Sequence, residues 1–343
     1  MANMNIGTPR FYPDEISYLM SRGVAATEFA VTATHAGNGY MGTFTTGSAA
    51  ELFDLNPLNK VTFDTSADTD GHVVITIDTQ STSTQKSFIA ILNHNMASAD
   101  AKVLVKASDT LAHVQAVNMG SATEMTSPLE VTNADAIGSS IITPAADGST
   151  IVKFTEQSLR YWGIQFEGNS SNTFGSTDLF VGSIMLGEYF DMPHAPDLDL
   201  TRMISYNRLN DLQESQGGQR FSNLKTIGRT ATSTSKSPFT TASNQYDMYG
   251  GRIIYDMKYS FLSNTELMPD EYDIIADDDN FISDVWNKTN GNHLPFIFSI
   301  DKGSEGDNAE SEHIFGRFAN NSLDMTQVAP EIYNVSLTVE EEF

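Results

Sequence analysis

The dominant pattern in this chain is the recurrence of apolar residues at every second position. In residues 72–78, Val73, Ile75 and Ile77 share one face, and residues 252–262 alternate in the same way. Alternation of this kind predicts strands with one buried face, because successive side chains of a strand point to opposite sides. The segments are short and are separated by clusters of Gly, Asn, Ser and Asp. The sequence therefore predicts an all-β protein, a sandwich or jelly roll.

Two segments are apolar at nearly every position, which predicts strands buried between two layers. They are residues 87–92 (SFIAIL) and 179–186 (LFVGSIML). Further strands are predicted at residues 102–106, 158–166, 294–301, 313–318 and 331–339.

Helical spacing is confined to two short segments. Residues 11–22 predict one short helix capped by Asp14. Residues 281–286 carry apolar side chains at helical spacing after the acidic run 277–279, and Asn290-Gly291 is a suitable end for that helix.

The patterning divides the chain into three parts. Residues 1–192 predict a jelly-roll β-sandwich with an N-terminal arm, and residues 245–343 predict a second, mainly β domain with one short helix. Residues 193–244 contain Pro, Gly-Gly and a Thr/Ser tract with few periodic apolar positions, which predicts an extended connector.

Composition excludes several functions. The formal net charge is −25, which disfavours a nucleic-acid partner and docking on an anionic membrane. Cysteine is absent, so disulfides, thiolate metal sites and cysteine nucleophiles are excluded. There is no apolar run near the roughly 20 residues that span a bilayer, and no basic and apolar leader at the start. We expect synthesis and assembly in a cytoplasm.

No motif selects a catalytic or cofactor site. HExxH, a phosphate-binding GxxxxGK[ST] loop and a GxSxG elbow are all absent, so we expect no enzyme, no cofactor and no resident metal. The acidic turn Asp64, Asp68 and Asp70 resembles a calcium loop, but Ile77 stands where an EF-hand needs its bidentate glutamate. A calcium site of another type stays open beside a solvated turn.

The connector has a positive net charge, opposite in sign to that of the whole chain. Residues 200–240 hold six cations against two acidic residues. Arginine forms bidentate pairs with carboxylates, and the rest of the chain is strongly acidic. This layout predicts either an ordinary solvated segment or an arm that binds an acidic neighbouring subunit. The candidate interface residues are Arg202, Arg208, Arg220 and Arg229.

A second candidate site follows the buried strand at 87–92. Asn93, His94 and Asn95 end that strand. Their side chains either satisfy backbone groups of a turn, or form a loop that contacts a ligand such as a sugar.

Several segments together resemble the galactose-binding-like, or discoidin-like, jelly roll of bacteriophage tail proteins. FIAILNHN, a small-residue turn and KVLVKAS (88–108) carry the resemblance, with LRYWGIQFEG and LFVGSIMLGEYFDMP after them. In such proteins an arginine-containing segment leads to a second β domain. Its counterparts here are DVW, NHLPF and VSLTVEEE (284–286, 292–296 and 335–342).

The resemblance implies a virion structural protein of a tailed phage, in the manner of a distal-tail or baseplate-hub ring that mounts other tail parts. Expected partners are further copies of the chain and other virion proteins, with no membrane insertion. A module that binds carbohydrate or a host-surface receptor, a head decoration protein and a fibre-anchoring adaptor are the alternatives. A glycan-active enzyme receives no specific support, since Asp and Glu pairs are common in so acidic a chain.

Overall fold

The computed structural model describes twelve stretches of the chain, and their strands pair antiparallel throughout. The described residues are 7–24, 44–66, 71–115, 123–124, 130–133, 140–168, 173–205, 213–221, 238–239, 252–269, 279–303 and 313–342.

The strands of the first half are β1 (Arg10–Pro13), β2 (Phe44–Thr46), β3 (Val61–Phe63), β4 (His72–Asp78), β5 (Lys86–His94), β6 (Ala101–Ser108), β7 (Thr123–Glu124), β8 (Glu130–Val131), β9 (Ile141–Ile142), β10 (Gly148–Gln157) and β11 (Tyr161–Gly168). The later strands are β12 (Leu179–Val181), β13 (Ser183–Gly187), β14 (Phe190–Asp191), β15 (Thr201–Ser205), β16 (Gln213–Glu214), β17 (Arg220–Phe221), β18 (Arg252–Ser263), β19 (Phe296–Ser299), β20 (His313–Phe318), β21 (Met325–Ala329) and β22 (Ile332–Glu341).

Helices are few and short in the described residues. They are α1 (Glu15–Ser21), a 3₁₀ turn (Ala49–Phe53), α2 (Leu111–Gln115), α3 (Asn264–Leu267) and a π-helix (Ile282–Asn287).

Three sheets form successive layers. The outer sheet has the order β4-β11-β6-β7, with β9 also on β6. The inner sheet has the order β13-β5-β10-β8. The large sheet has eight strands in the order β14-β1-β19-β20-β22-β18-β15, with β21 on β22. The described residues also form a three-stranded sheet, β12-β3-β2, and a hairpin, β16-β17.

Strand β5 explains the layering, because alternate side chains enter different cores. Ile89 and Ile91 pack in the core between the inner and outer sheets. Phe88, Ala90 and Leu92 pack on the other side, against residues of the large sheet. The prediction that residues 87–92 lie between two layers is confirmed, since every residue of β5 is buried.

The third core lies on the far face of the large sheet. Rings of Phe11, Phe296, Phe298 and Phe318 meet there, with Phe296 and Phe318 centroids 4.6 Å apart. The π-helix covers this face through Phe281 at its N-cap position.

The N-terminal arm crosses the domain boundary predicted at residue 192. Strand β1 pairs with β19, so it belongs to the sheet of the C-terminal part. Phe11 and Tyr12 enter the two cores on opposite faces of that sheet. A strand that is apolar on both faces needs a packed layer on each side. Strand β1 has both layers in the large sheet of the C-terminal part.

The apolar run 179–186 is divided between two sheets. It forms β12, paired with β3, and β13, paired with β5. The break is at Gly182, whose N–H donates to the carbonyl of Leu92 at 3.0 Å. A Cβ at Gly182 would lie 2.0 Å from the Pro57 carbonyl oxygen, so only glycine permits this close approach.

Both predicted helices are present. Asp14 caps α1, as predicted, by accepting from the backbone N–H of Ile16 and Ser17. The second helix is π rather than α, and Asn280 accepts from the Ser283 N–H at its start. Asp277 and Asp278 lie outside the described residues. Asn290 and Gly291 end this segment with positive φ values of 50° and 65°.

We predict that Gly182→Ala lowers the free energy of unfolding by about 1–3 kcal/mol or more, because the added methyl group overlaps backbone atoms. Urea unfolding, followed by tryptophan fluorescence, measures the change. Gly217→Ala is the matched control, since the same methyl group meets only a serine hydroxyl 4.0 Å away. Equal unfolding midpoints for the two variants would contradict the prediction.

Candidate assembly surface

Strand β15 forms one edge of the large sheet. It pairs with residues 252–256 of β18 and is the last strand on that side among the described residues. Four of its five residues are exposed, including Met203 and Ile204 at 40% and 57%. Apolar side chains on an exposed edge are unusual, because such an edge can pair with another chain.

Two acidic residues in the segment before β15 bind that segment to β18. The N–H of Asp197 donates to the carbonyl of Lys258 at 2.8 Å. The carboxylate of Asp199 accepts from the Lys258 ammonium at 2.6 Å, and that of Asp197 accepts from the Ser260 hydroxyl. These contacts set the direction in which β15 runs along β18.

The four candidate arginines have different positions. Arg202 is exposed on β15, and its guanidinium lies 5.8 Å from the ring centroid of Tyr255. Arg220 begins β17, where it is the strand partner of Glu214. Arg208 and Arg229 lie outside the described residues. The described part of the chain therefore shows one of the four side chains, and that one is exposed beside the sheet edge.

Strands β16 and β17 form a hairpin that is a sheet of its own within the described residues. Its turn contains Gly217 and Gly218, and the φ of Gly218 is +80°, which favours glycine. The five turn residues 215–219 are all exposed. A two-stranded hairpin alone is at best marginally stable in water.

The end of the connector returns to the body of the protein. Phe239 is 5% exposed and belongs to the core between the inner and large sheets. The carbonyl of Pro238 accepts from the Ser149 hydroxyl at 2.7 Å. The predicted connector is thus anchored at both ends. A single Phe within a polar tract is too isolated for periodicity to identify it as a core residue.

A second exposed edge was not predicted from the sequence. Strand β21 pairs with residues 332–335 of β22 and, among the described residues, with no other strand. Four of its five residues are exposed, with Val328 at 46%. Its five residues are too few for a periodic signal, although Thr326 and Val328 are β-branched.

The residues of the candidate ligand loop point inward. Asn93, His94 and Asn95 are 3%, 1% and 3% exposed. The amide of Asn93 donates to the Pro57 carbonyl at 2.7 Å, and that of Asn95 donates to the Asp178 carbonyl at 2.8 Å. These bonds are those of a turn that satisfies backbone groups. Ligand binding at this loop stays a prediction.

His94 is held as a neutral ring. Its Nδ1 accepts from the Met96 N–H, and its Nε2 lies 2.8 Å from the Thr150 hydroxyl oxygen. Burial lowers the pKa of His94 from 6.5 to about 3, because the charged ring would lose its hydration.

A buried ion cluster joins the sandwich to the helices beside the large sheet. It consists of Glu15, Lys86, Glu188, Asp284 and Lys288, from α1, β5, the β13–β14 turn and the π-helix segment. The Lys288 ammonium lies 3.3 Å from Glu188 and 3.4 Å from Asp284. The Lys86 ammonium lies 3.8 Å from Glu15. Burial alone lowers the pKa of Lys288, but Asp284, Glu188 and Glu15 outweigh it and raise that pKa above its ordinary value.

The described residues contain no group of three or more His, Asp or Glu placed to hold a metal ion. Asp68 and Asp70 of the acidic turn lie outside them. No described helix is long and apolar enough to cross a membrane. Comparison with protein-family models, curated proteins and solved structures finds no match for the chain.

We predict that buried His94 contributes stability that is lost as the pH drops from 6.5 towards 3, because its ring stays neutral in the fold while the unfolded chain takes up the proton. The contribution is fully present above pH 6.5 and decreases by about 1.4 kcal/mol per pH unit within that window. The measurement is the free energy of unfolding in urea at half-unit pH steps.

His94→Gln removes this contribution, so the unfolding free energy of the wild type minus that of the variant decreases as the pH drops from 6.5 towards 3. His293→Gln, at an exposed histidine, is the control. Asp14 acts in the opposite sense, since burial raises its pKa from 3.8 to about 6 and its protonation stabilises the fold as the pH falls. The difference between His94→Gln and wild type isolates the histidine. Parallel pH curves for the two proteins would contradict the prediction.

We predict that Lys288→Met destabilises the protein by about 3–5 kcal/mol, because it leaves two buried carboxylates without their cation. Thermal unfolding at pH 7 measures the loss. Lys258→Met is the matched control, since its ion pair with Asp199 is exposed and screened by water. Equal losses in the two variants would show that the cluster makes no special contribution.

Proposed function

We propose that this chain is a structural protein of a tailed-phage virion, which joins copies of itself and other virion proteins and performs no catalysis. The observation that carries the proposal is the exposed strand β15, with apolar Met203 and Ile204, at the edge of the large sheet, followed along the chain by a hairpin that forms its own sheet within the described residues. Native proteins commonly protect such an edge, because it invites pairing with other chains.

The layered body suits a structural role. Three sheets share two buried cores, and β5 contributes to both, so the sandwich and the large sheet hold a constant relative position. The buried ion cluster adds a further link between them. In a rigid subunit of this kind, the contact surfaces on different sheets keep fixed positions relative to one another.

We further propose that the inner and outer sheets form a jelly roll of the galactose-binding-like type. Support comes from two antiparallel sheets packed face to face around one apolar core, with Trp162 and Phe154 stacked at its centre. Of the segments in the first part of the chain that carry the resemblance, β5, β6, β11 and β13 lie in these two sheets, whereas β12 and β14 belong to other sheets.

Charge supports association with acidic neighbours. The chain has a net charge of −25, yet residues 200–240 carry six of its 19 cations. Exposed Arg202 lies at the sheet edge itself. A basic segment on an acidic subunit attracts the acidic surface of a neighbour and steers it to this side. In the virion, the proposed place is a ring at the tail tip or baseplate hub, assembled in the host cytoplasm.

We predict that the purified protein is an oligomer at low salt and dissociates at high salt, because screening weakens contacts between exposed charges. Light scattering measures the mass at both salt concentrations, and negative-stain images show whether the assemblies are closed rings. The double variant Arg202→Glu/Arg220→Glu should shift the mass towards the monomer at low salt with an unchanged circular dichroism spectrum.

Arg22→Glu/Lys302→Glu is the control, because it makes the same charge change at exposed positions outside the connector. A monomer at both salt concentrations, up to the highest attainable protein concentration, would contradict assembly by the chain itself. Equal effects of the two double variants would attribute the assembly to overall charge rather than to the connector.

A further inference from the structure

Among the described residues, two strands of the large sheet combine an open edge with mostly exposed side chains, whereas β14 at the other end of the strand order is largely buried. Strand β15 lies on the β18 side of the sheet, and β21 lies on the β22 side. Each is five residues long with four residues exposed. Resting on the proposed function, we infer that copies of this chain join head to tail, with β15 of one copy pairing with β21 of the next to continue the sheet.

The two edges are displaced along the sheet. Met203 at the centre of β15 stands in the row of Ile254 and Glu340, whereas Gln327 at the centre of β21 stands opposite Tyr333. Seven residues of β22 separate these rows, which is about 24 Å along a strand. When β15 of one copy pairs with β21 of the next, each new copy is therefore displaced along the strand direction relative to the previous copy. Such a heterologous contact generates a ring or a helical stack.

The exposed side chains of the two edges are complementary. Met203 and Ile204 on β15 and Val328 on β21 are apolar. Strand β15 carries Arg202 and no acidic residue, and the nearby Asp199 is paired with the Lys258 ammonium. Strand β21 is flanked by exposed Asp324 and Glu331 and carries no cation. Backbone pairing supplies affinity, and the side chains on the two faces of each strand supply specificity.

Pairing of like edges is disfavoured by the same charges. Two β15 strands would bring Arg202 of both copies to one contact, and two β21 strands would bring four carboxylates together. Like charges in an interface raise the free energy of the wrong pairing, so the mixed pair is selected. Neither edge carries the lysine or the internal proline that commonly protects a strand from association.

The test uses one blocked edge at a time. Ile204→Asp blocks β15 and Val328→Asp blocks β21, because aspartate disfavours strands and places a charge where the neighbour is apolar. Each variant alone should be monomeric under conditions where the wild type assembles. A 1:1 mixture should form a heterodimer of twice the monomer mass and grow no further, since each copy keeps one open edge of the opposite kind.

Leu198→Asp is the matched control, because this fully exposed residue precedes β15 and the charge change is the same. It should assemble like the wild type. Circular dichroism must be identical for all variants, so that loss of the fold is separated from loss of assembly.

A second measurement uses the absence of cysteine in the chain. Ile204→Cys mixed with Val328→Cys should oxidise to a disulfide-linked dimer with a yield several-fold above that of either variant alone. Leu198→Cys mixed with Val328→Cys is the control.

If the wild type assembles while both blocked variants stay oligomeric, or if either blocked variant forms a dimer alone, the β15–β21 pairing is wrong and the proposed function stands. If the wild type itself is monomeric at every salt concentration, the pairing and self-assembly are both contradicted.

Discussion

The burial of β5 on both faces is the constraint on which the rest of the structure depends. One set of its side chains fills the sandwich core and the alternate set meets the large sheet, so the three layers cannot be separated without exposing this strand. At about 25 cal/mol per Å² of apolar surface, exposing either face carries a large free-energy cost. The layers therefore behave as one body, and the edge strands of the large sheet hold set positions relative to the sandwich.

The polar groups inside this body are placed where layers meet. Asp14 holds the start of α1 and also accepts from the Leu186 N–H of β13, and the five charged residues of the buried ion cluster lie nearby. Buried charges of this kind contribute little net stability, but they penalise any arrangement that separates them. His94 has a comparable role at the other end of β5, where its neutral ring joins the turn to β10. These contacts define how the layers fit, and the exposed edges lie outside them.

Much of the fold follows from the sequence alone, and the candidate surface follows only in part. Strands β4 and β20 have the predicted bounds, Asp14 caps the predicted helix, and the connector contributes an exposed strand with Arg202. The break at Gly182 could not be predicted, because its cause is the carbonyl of Pro57 more than a hundred residues away. The burial of Phe239 and the second edge at β21 were missed for related reasons, since neither is part of a periodic segment.

The sequence by itself determined that the chain is mainly β, where strands such as β4, β5, β18 and β20 lie, and that β5 is buried on both faces. Those properties are local, because the period of two and the position of glycine and polar clusters act over a few residues. The sequence did not predict strand β10, and β4, predicted with one buried face, is buried on both. Only the tertiary structure decided that β1 joins the C-terminal sheet, that Asn93, His94 and Asn95 turn inward, and that β15 and β21 stay at the edges. Strand order and burial depend on contacts between residues far apart in the chain, and the pattern within a strand does not specify which neighbour it pairs with.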